Sequence, residues 1–259
     1  MATHWKHRYY WIMTCKALHR LAGTLLLALA TVHVVAAPLP EFEVQYTLRY
    51  EDIRVGEAIY RLRQQGDAYL YESHSKPVGI AAWFRKDRVE EHSQWAWHED
   101  RIRPMQYLYR RTGGRSDRDA ELIFDWEALQ VENRVAGHPW VMDIPPDALD
   151  KMVVTLVLMQ DLARGKQDVE YAIADGGKLK TYRFKVVGEE TVNTPAGSFD
   201  TLKLERLRDD NKRYTAIWCA PELHYLPVKL LQREDDDRLI TSELQSVSDG
   251  LRKAPALGE

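Results

Sequence analysis

Cysteine is almost missing from this chain, which holds only Cys15 and Cys219. Cys15 lies within a segment that reads as a leader, so the mature protein keeps a lone thiol and forms no internal disulfide. Such a protein depends on its core rather than on covalent staples, and a core of sufficient size is within reach at this length. A glycine-rich phosphate loop, a dinucleotide fingerprint and a G-x-S-x-G elbow are also absent, so no cofactor site announces itself. A basic surplus is missing as well. The chain has 36 basic residues and 39 acidic ones, which argues against nucleic acid as a partner. Long hydrophobic runs are scarce. The most apolar stretch, "LAGTLLLALATVHVV" from Leu21 to Val35, falls short of the ~20 residues of a membrane span.

That stretch has another use. Lys6, Arg8, Lys16 and Arg20 precede it without an acid, and Val34, near its end, and Ala36, just past it, are small residues at the two positions a signal peptidase reads. The order is that of a signal peptide over residues 1–36, cleaved after Ala36. Cleavage after Ala37 would leave Pro38 just past the scissile bond. Cys15 precedes the apolar run and is not placed as a lipoprotein cysteine. The leader takes four basic residues and no acid, so the mature net charge is about −7. The expectation is a periplasmic protein with no transmembrane segment after cleavage.

The mature chain opens with "EFEVQYTLRY", in which Phe42, Val44, Tyr46, Leu48 and Tyr50 alternate with polar residues. A period of two means a strand with one dry face and one wet face. The pattern recurs in "EAIYRLR", "AYLYESHS", "RVEEHSQWAWHE", "RPMQYLYRR" and "AELIFDW", with turn signals between the runs. Beyond residue 178 it resumes in "KTYRFKVVG", "FDTLKLERL", "RYTAIWC", "PVKLLQR" and "RLITSELQSV". One segment differs. "PPDALDKMVVTLVLMQDLARG" sets apolar residues at helical spacing, with Asp147 placed to cap the start, Asp150 in the first turn and Gly165 past the end. The fold expected is mainly β: a large curved antiparallel meander sheet or open barrel, with one apolar helix over about 147–164 packed on it. About eight strands precede the helix and about five follow. Residues 37–248 then form a single domain, and 249–259 a flexible tail.

The stretch "TPAGSFDTLKL" sets Ser198 near Asp200, but proline followed two residues later by glycine is turn chemistry. It reads as a hairpin. "NTPAGSFDTLKLERL", together with "YTAIWCAPELHYLPVKLLQRE", "IFDW" and "VGEAIYRLRQQGDAYLYES", resembles the bacterial exported domain-of-unknown-function family 3108. The resemblance covers about Phe42 to Leu244. It implies an exported, mostly β protein of Gram-negative envelopes and brings no catalytic residues. It also implies a more polar, arginine-containing helix than "MVVTLVLM", a local departure.

Among candidate sites, His92 and His98 share a strand face but sit about 20 Å apart when extended, and the other histidines are scattered, so no metal site is expected. Glu234 to Asp237 lacks the alternation and glycine of a calcium loop and reads as a hairpin tip. No catalytic group stands out, and Cys219 following Trp218 reads as a small core residue. The aromatic residues carry more information. A long meander must close, fold onto itself or leave a wide apolar face. If the face exceeds what one helix covers, a hydrophobic ligand can fill the rest. Trp83, Trp95, Trp97, Tyr107, Phe124, Trp126 and Trp218 are the candidate lining. "KPVGIAAWFRKD" adds an apolar loop with basic ends, suited to a lid, a short core helix or a membrane-surface touch point. The expected function is non-catalytic binding of a lipid or lipidated envelope ligand. The alternatives are an assembly factor with an envelope protein partner, and a hydrolase or lyase of envelope polymer.

Overall fold

The computed structural model describes residues 39–252 except 85, 136–137, 209–212 and 236. The expected leader, its cleavage point and residues 253–259 lie outside the described residues. Strands β1 (Phe42–Tyr50), β2 (Ile53–Gln65) and β3 (Ala68–Pro77) lead to a single helical turn, α1 (Ala81–Phe84). Then come β4 (Arg88–His98), β5 (Arg101–Thr112), β6 (Arg118–Asp125), β7 (Gln130–Val135), β8 (His138–Asp143) and the two-residue β9 (Leu149–Asp150). Helix α2 (Val153–Ala163) follows. The chain continues through β10 (Asp168–Asp175), β11 (Lys178–Thr194), β12 (Gly197–Leu207), β13 (Tyr214–Ala220), β14 (Leu226–Arg233) and β15 (Leu239–Val247).

All fifteen strands of the described residues belong to one sheet, ordered β8-β7-β6-β5-β4-β3-β2-β1-β15-β14-β13-β12-β11-β10-β9. Two meanders thus run outward from a seam where β1 pairs antiparallel with β15. Among the described strands, only β9 and β10 pair in parallel. The alternation read from Phe42 onward is the physical origin of this arrangement, because each strand offers one apolar face that burial against a shared core rewards. The sheet curls until its two ends approach each other. A Cβ at Gly177, in the β10–β11 turn, would run into the ring of Trp140 on edge strand β8. Edge strand β8 also carries Pro139, which cannot extend a ladder and so discourages further pairing.

The hairpin read from "TPAG" is present: Thr194 pairs with Gly197 around Pro195 and Ala196. The Ala196 amide donates to the Leu244 carbonyl, tying the hairpin tip to β15. Two expectations need correction. The helix starts at Val153 rather than near Asp147, because Leu149 and Asp150 are drawn into a parallel bridge with Ile173 and Ala174. Asp150 therefore caps the helix in place of Asp147. At the other end, Gly165 takes φ +80° after Arg164, as expected of a helix terminus. The tail also starts differently. Asp249–Leu251 forms a 3-10 turn that seats Leu251 fully in the core, and a Cβ at Gly250 would press on the Glu41 carbonyl.

Candidate functional site

The register of β1 to β5 arranges the inner face in rows. Phe42, Leu62, Tyr71, Ser93 and Tyr107 align across five strands, and Leu122 on β6 extends the row. All six are buried. Two residues along each strand, the row reads Val44, Tyr60, Ser73, Glu91 and Tyr109. The next row reads Tyr46, Ala58, Ser75, Val89 and Arg111. The last in this direction is Leu48, Gly56 and Pro77. Since side chains on one face recur every second residue, these rows trace a line from the helix-covered core to the α1 end of the sheet.

Helix α2 belongs to the same buried cluster as the apolar residues of the first row. Leu156 and Met159 have no exposure, and the helix shares one buried cluster with residues of both meanders. Its N-terminus is held by a buried carboxylate: Asp150 Oδ1 accepts from the Met152 and Val153 amides, at 2.7 and 3.0 Å. Asp150 Oδ2 accepts from Ser93 Oγ at 2.5 Å. Burial pushes the Asp150 carboxyl up to about 6, against the pull of those hydrogen bonds. Beside it the second row is polar. Lys151 Nζ lies 3.1 Å from Glu91, the Tyr107 hydroxyl donates to Glu91, and the Lys151 ammonium sits over the Tyr107 and Tyr109 rings. Burial, then the Glu91 charge, raises the Tyr107 hydroxyl well above its ordinary value. With Asp150 and Ser93 sealed from solvent, their hydrogen bonds fix the helix start rather than present reactive groups to a substrate.

The last row opens into a groove of about 610 Å³. Its walls are Leu48, Tyr50, Val55, Pro77, Ala81 and Phe84, with Ser75, Lys76, Asp87 and Arg238 among them. Gly56 forms part of the floor, and a Cβ there would meet the Leu48 side chain at 3.3 Å and the Lys76 carbonyl at 3.2 Å. The space therefore depends on a residue without a side chain. Ala81 and Phe84 come from α1, which buries none of its residues. Ile80, Trp83 and Phe84 stand 74%, 85% and 83% exposed.

The seven expected aromatic residues do not gather in one site. Trp95, 1% exposed, stacks on Tyr69 at 4.3 Å and meets Trp97 edge-on, within the core. Tyr107 serves the polar row. Phe124 stacks on Trp126, whose indole donates to the Pro104 carbonyl and whose ring lies under Arg103. Trp126 lines a second, more polar cleft of about 360 Å³ with Arg101, Gln160 and Lys166. Trp218 is on the opposite face from Cys219 and Ile217; its ring lies between the Lys203 and Lys229 ammonium groups and its indole donates to Glu190. Trp83 is the exposed tip of α1. The groove residues Leu48, Val55, Gly56 and Pro77 were missed because none is aromatic. The signal for them was present in the first-strand alternation and in the "KPVGIAAWF" loop, which the structure brings to the same end. Among the described residues, no group of three or more His, Cys, Asp or Glu is placed to hold a metal ion. No described helix is long and apolar enough to cross a membrane.

The chain belongs to the family of proteins of unknown function DUF3108, which matches residues 45–245. It is similar to the crystal structure of a β-barrel-like protein of domain of unknown function DUF1849 from Brucella abortus. Identity is 7%, coverage is 82% of this chain and 98% of that one, and the TM-score is 0.53. This likeness shows the fold. A "putative exported protein with YmcC-like fold" from Bacteroides fragilis matches at 12% identity, covering 80% of this chain and 95% of that one, with TM-score 0.32. A "putative lipoprotein" from Parabacteroides distasonis matches at 8% identity with the same two coverages and TM-score 0.32. No curated protein matches the chain.

Proposed function

We propose that this protein is an exported, periplasmic binder of a hydrophobic or amphiphilic envelope molecule, such as a lipid, an acyl chain or a lipidated peptide, which it holds without transforming. The observation that carries the reading is the apolar groove at the end of the inner face, beyond the reach of α2. Its volume of about 610 Å³ lies within the ~300–1,000 Å³ usual for small-molecule sites. Its composition also fits: aliphatic and aromatic walls with Lys76, Asp87 and Arg238 among them suit an amphiphile better than a sugar polymer. Export is supported by the order of basic region, apolar run and small residues at the N-terminus.

The test is native mass spectrometry of gently purified mature protein, followed by titration with a fluorescent fatty acid. Co-purified lipid, and uptake of the probe that Ala81→Glu reduces about tenfold, are the expected results. Ala81 is a suitable position because α1 buries nothing, so a carboxylate there alters the groove wall without endangering the sheet. Absence of both lipid and uptake overturns the reading. A single dominant envelope protein recovered by pull-down, with no lipid, would favour the assembly-factor alternative instead.

A further inference from the structure

The α1 loop carries a second feature that the groove does not use. Ile80 and Trp83 do not line the groove, yet both are largely exposed, with Phe84 beside them. Ile53, 61% exposed, begins the neighbouring strand, and a Cβ at Gly79 would touch the Arg54 carbonyl, so the two segments adjoin. Four large apolar side chains thus stand in solvent at one end of the molecule, where scattered single ones need no explanation but a cluster does. On the α1 side of this cluster the charge is unlike that of the rest, although exposed Glu51 and Asp52 precede Ile53 and Lys76 pairs with Glu57 at 2.9 Å. From residue 76 to 88 the sequence has Lys76, Arg85, Lys86 and Arg88 against Asp87 alone, within a mature chain of net charge about −7. Lys86 and Arg88 are both exposed.

We propose that this end of the protein docks on an anionic phospholipid bilayer, with Trp83, Phe84 and Ile80 entering the interface and Lys86 and Arg88 meeting the headgroups. A tryptophan, a phenylalanine and an isoleucine flanked by basic residues are what an interface between water and hydrocarbon favours. The cations supply an attraction that acts only near a negatively charged surface. A protein partner fits less well, since Ile80, Trp83 and Phe84 gather at one helical turn rather than spread over a flat face. The docking inference extends the carrier reading, because Phe84 belongs both to the exposed tip and to the groove wall, so docking would bring the groove to the lipid. It does not require that reading to be right.

The experiment is flotation of the mature protein with vesicles of phosphatidylglycerol and phosphatidylethanolamine, with phosphatidylcholine vesicles in parallel. Binding to the anionic vesicles is expected. It should fall about tenfold or more in the double variant Ile80→Ser/Trp83→Ser, and comparably in Lys86→Glu/Arg88→Glu. Tryptophan fluorescence should be quenched by bromine-labelled chains in the wild type and much less in Trp83→Phe, which keeps the binding. Binding that is absent, or that both double variants leave unchanged, overturns the proposal. Fatty-acid uptake separates the two readings. Loss of vesicle binding in Ile80→Ser/Trp83→Ser with uptake intact supports docking independently of the groove. Loss of uptake alone in Ala81→Glu concerns the groove only.

Discussion

Among the described residues, the two apolar helical segments have opposite fates. Helix α2 is apolar nearly all round and mostly buried, with a sealed carboxylate at its start and a left-handed glycine at its end. The α1 segment is equally apolar, yet it is one turn long, buries nothing and stands in solvent beside a groove. Eleven residues reach across an inner face and replace water over a large area. Four cannot, so their apolar groups remain available to something outside the chain. The contrast teaches that apolar content alone does not mark a core. Length, capping and what lies opposite decide between burial and exposure.

Substitutions separate the two segments, and the largest effect belongs to α2. Leu156→Ala removes a fully buried side chain and should cost about 2–5 kcal/mol by urea unfolding. Ile80→Ser/Trp83→Ser should stay within about 0.5 kcal/mol of wild type in the same assay. Comparable losses in both would erase the distinction.

The cap comes next. The Asp150 carboxyl is raised to about 6 in the folded state from an ordinary 3.8, so the folded protein binds that proton more tightly than the unfolded chain does. Its contribution to stability is fully present below about pH 4 and is lost as pH climbs through about 6, a swing of up to roughly 3 kcal/mol. Asp150→Asn keeps an oxygen for the two amides and abolishes the titration. The difference in stability between wild type and this variant should therefore favour wild type progressively from pH 7 down to pH 4. A flat difference would show that the carboxylate is not the group responsible.

Smaller effects sharpen the picture. Gly165→Ala forces a side chain into φ +80° and should lower stability by about 1 kcal/mol, read from the urea midpoint. Cys219 is fully buried, and that burial pushes its thiol up. It should react with a thiol reagent only as fast as the protein opens, and brisk labelling in the native state would show that β13 is not sealed.

Much of the fold was legible, for identifiable reasons. Strand alternation at Phe42 to Tyr50 fixes which residues face inward, and the two-residue hairpin at Pro195-Ala196 fixes one register. The capped apolar segment announces the single long helix. The helix starts later than the sequence suggests because Asp147, just after two prolines, reads as the cap and Asp150 as a first-turn acid. Only the parallel bridge of Leu149 and Asp150 to β10 chooses between them. Trp218 misled for a related reason: β13 is buried on both faces, so alternation there carries no sign of which side looks inward.

By itself, then, the sequence determined strand type, the inward set on the first strands and the turn at Thr194 to Gly197. These follow from local sterics and from periodicity, which neighbouring residues encode. Tertiary structure alone decided the seam between β1 and β15, the rows running from the core to the α1 end and the exposure of Trp83 against the burial of Trp95. Each depends on residues far apart in the chain meeting across a curved sheet, and no local pattern records that encounter.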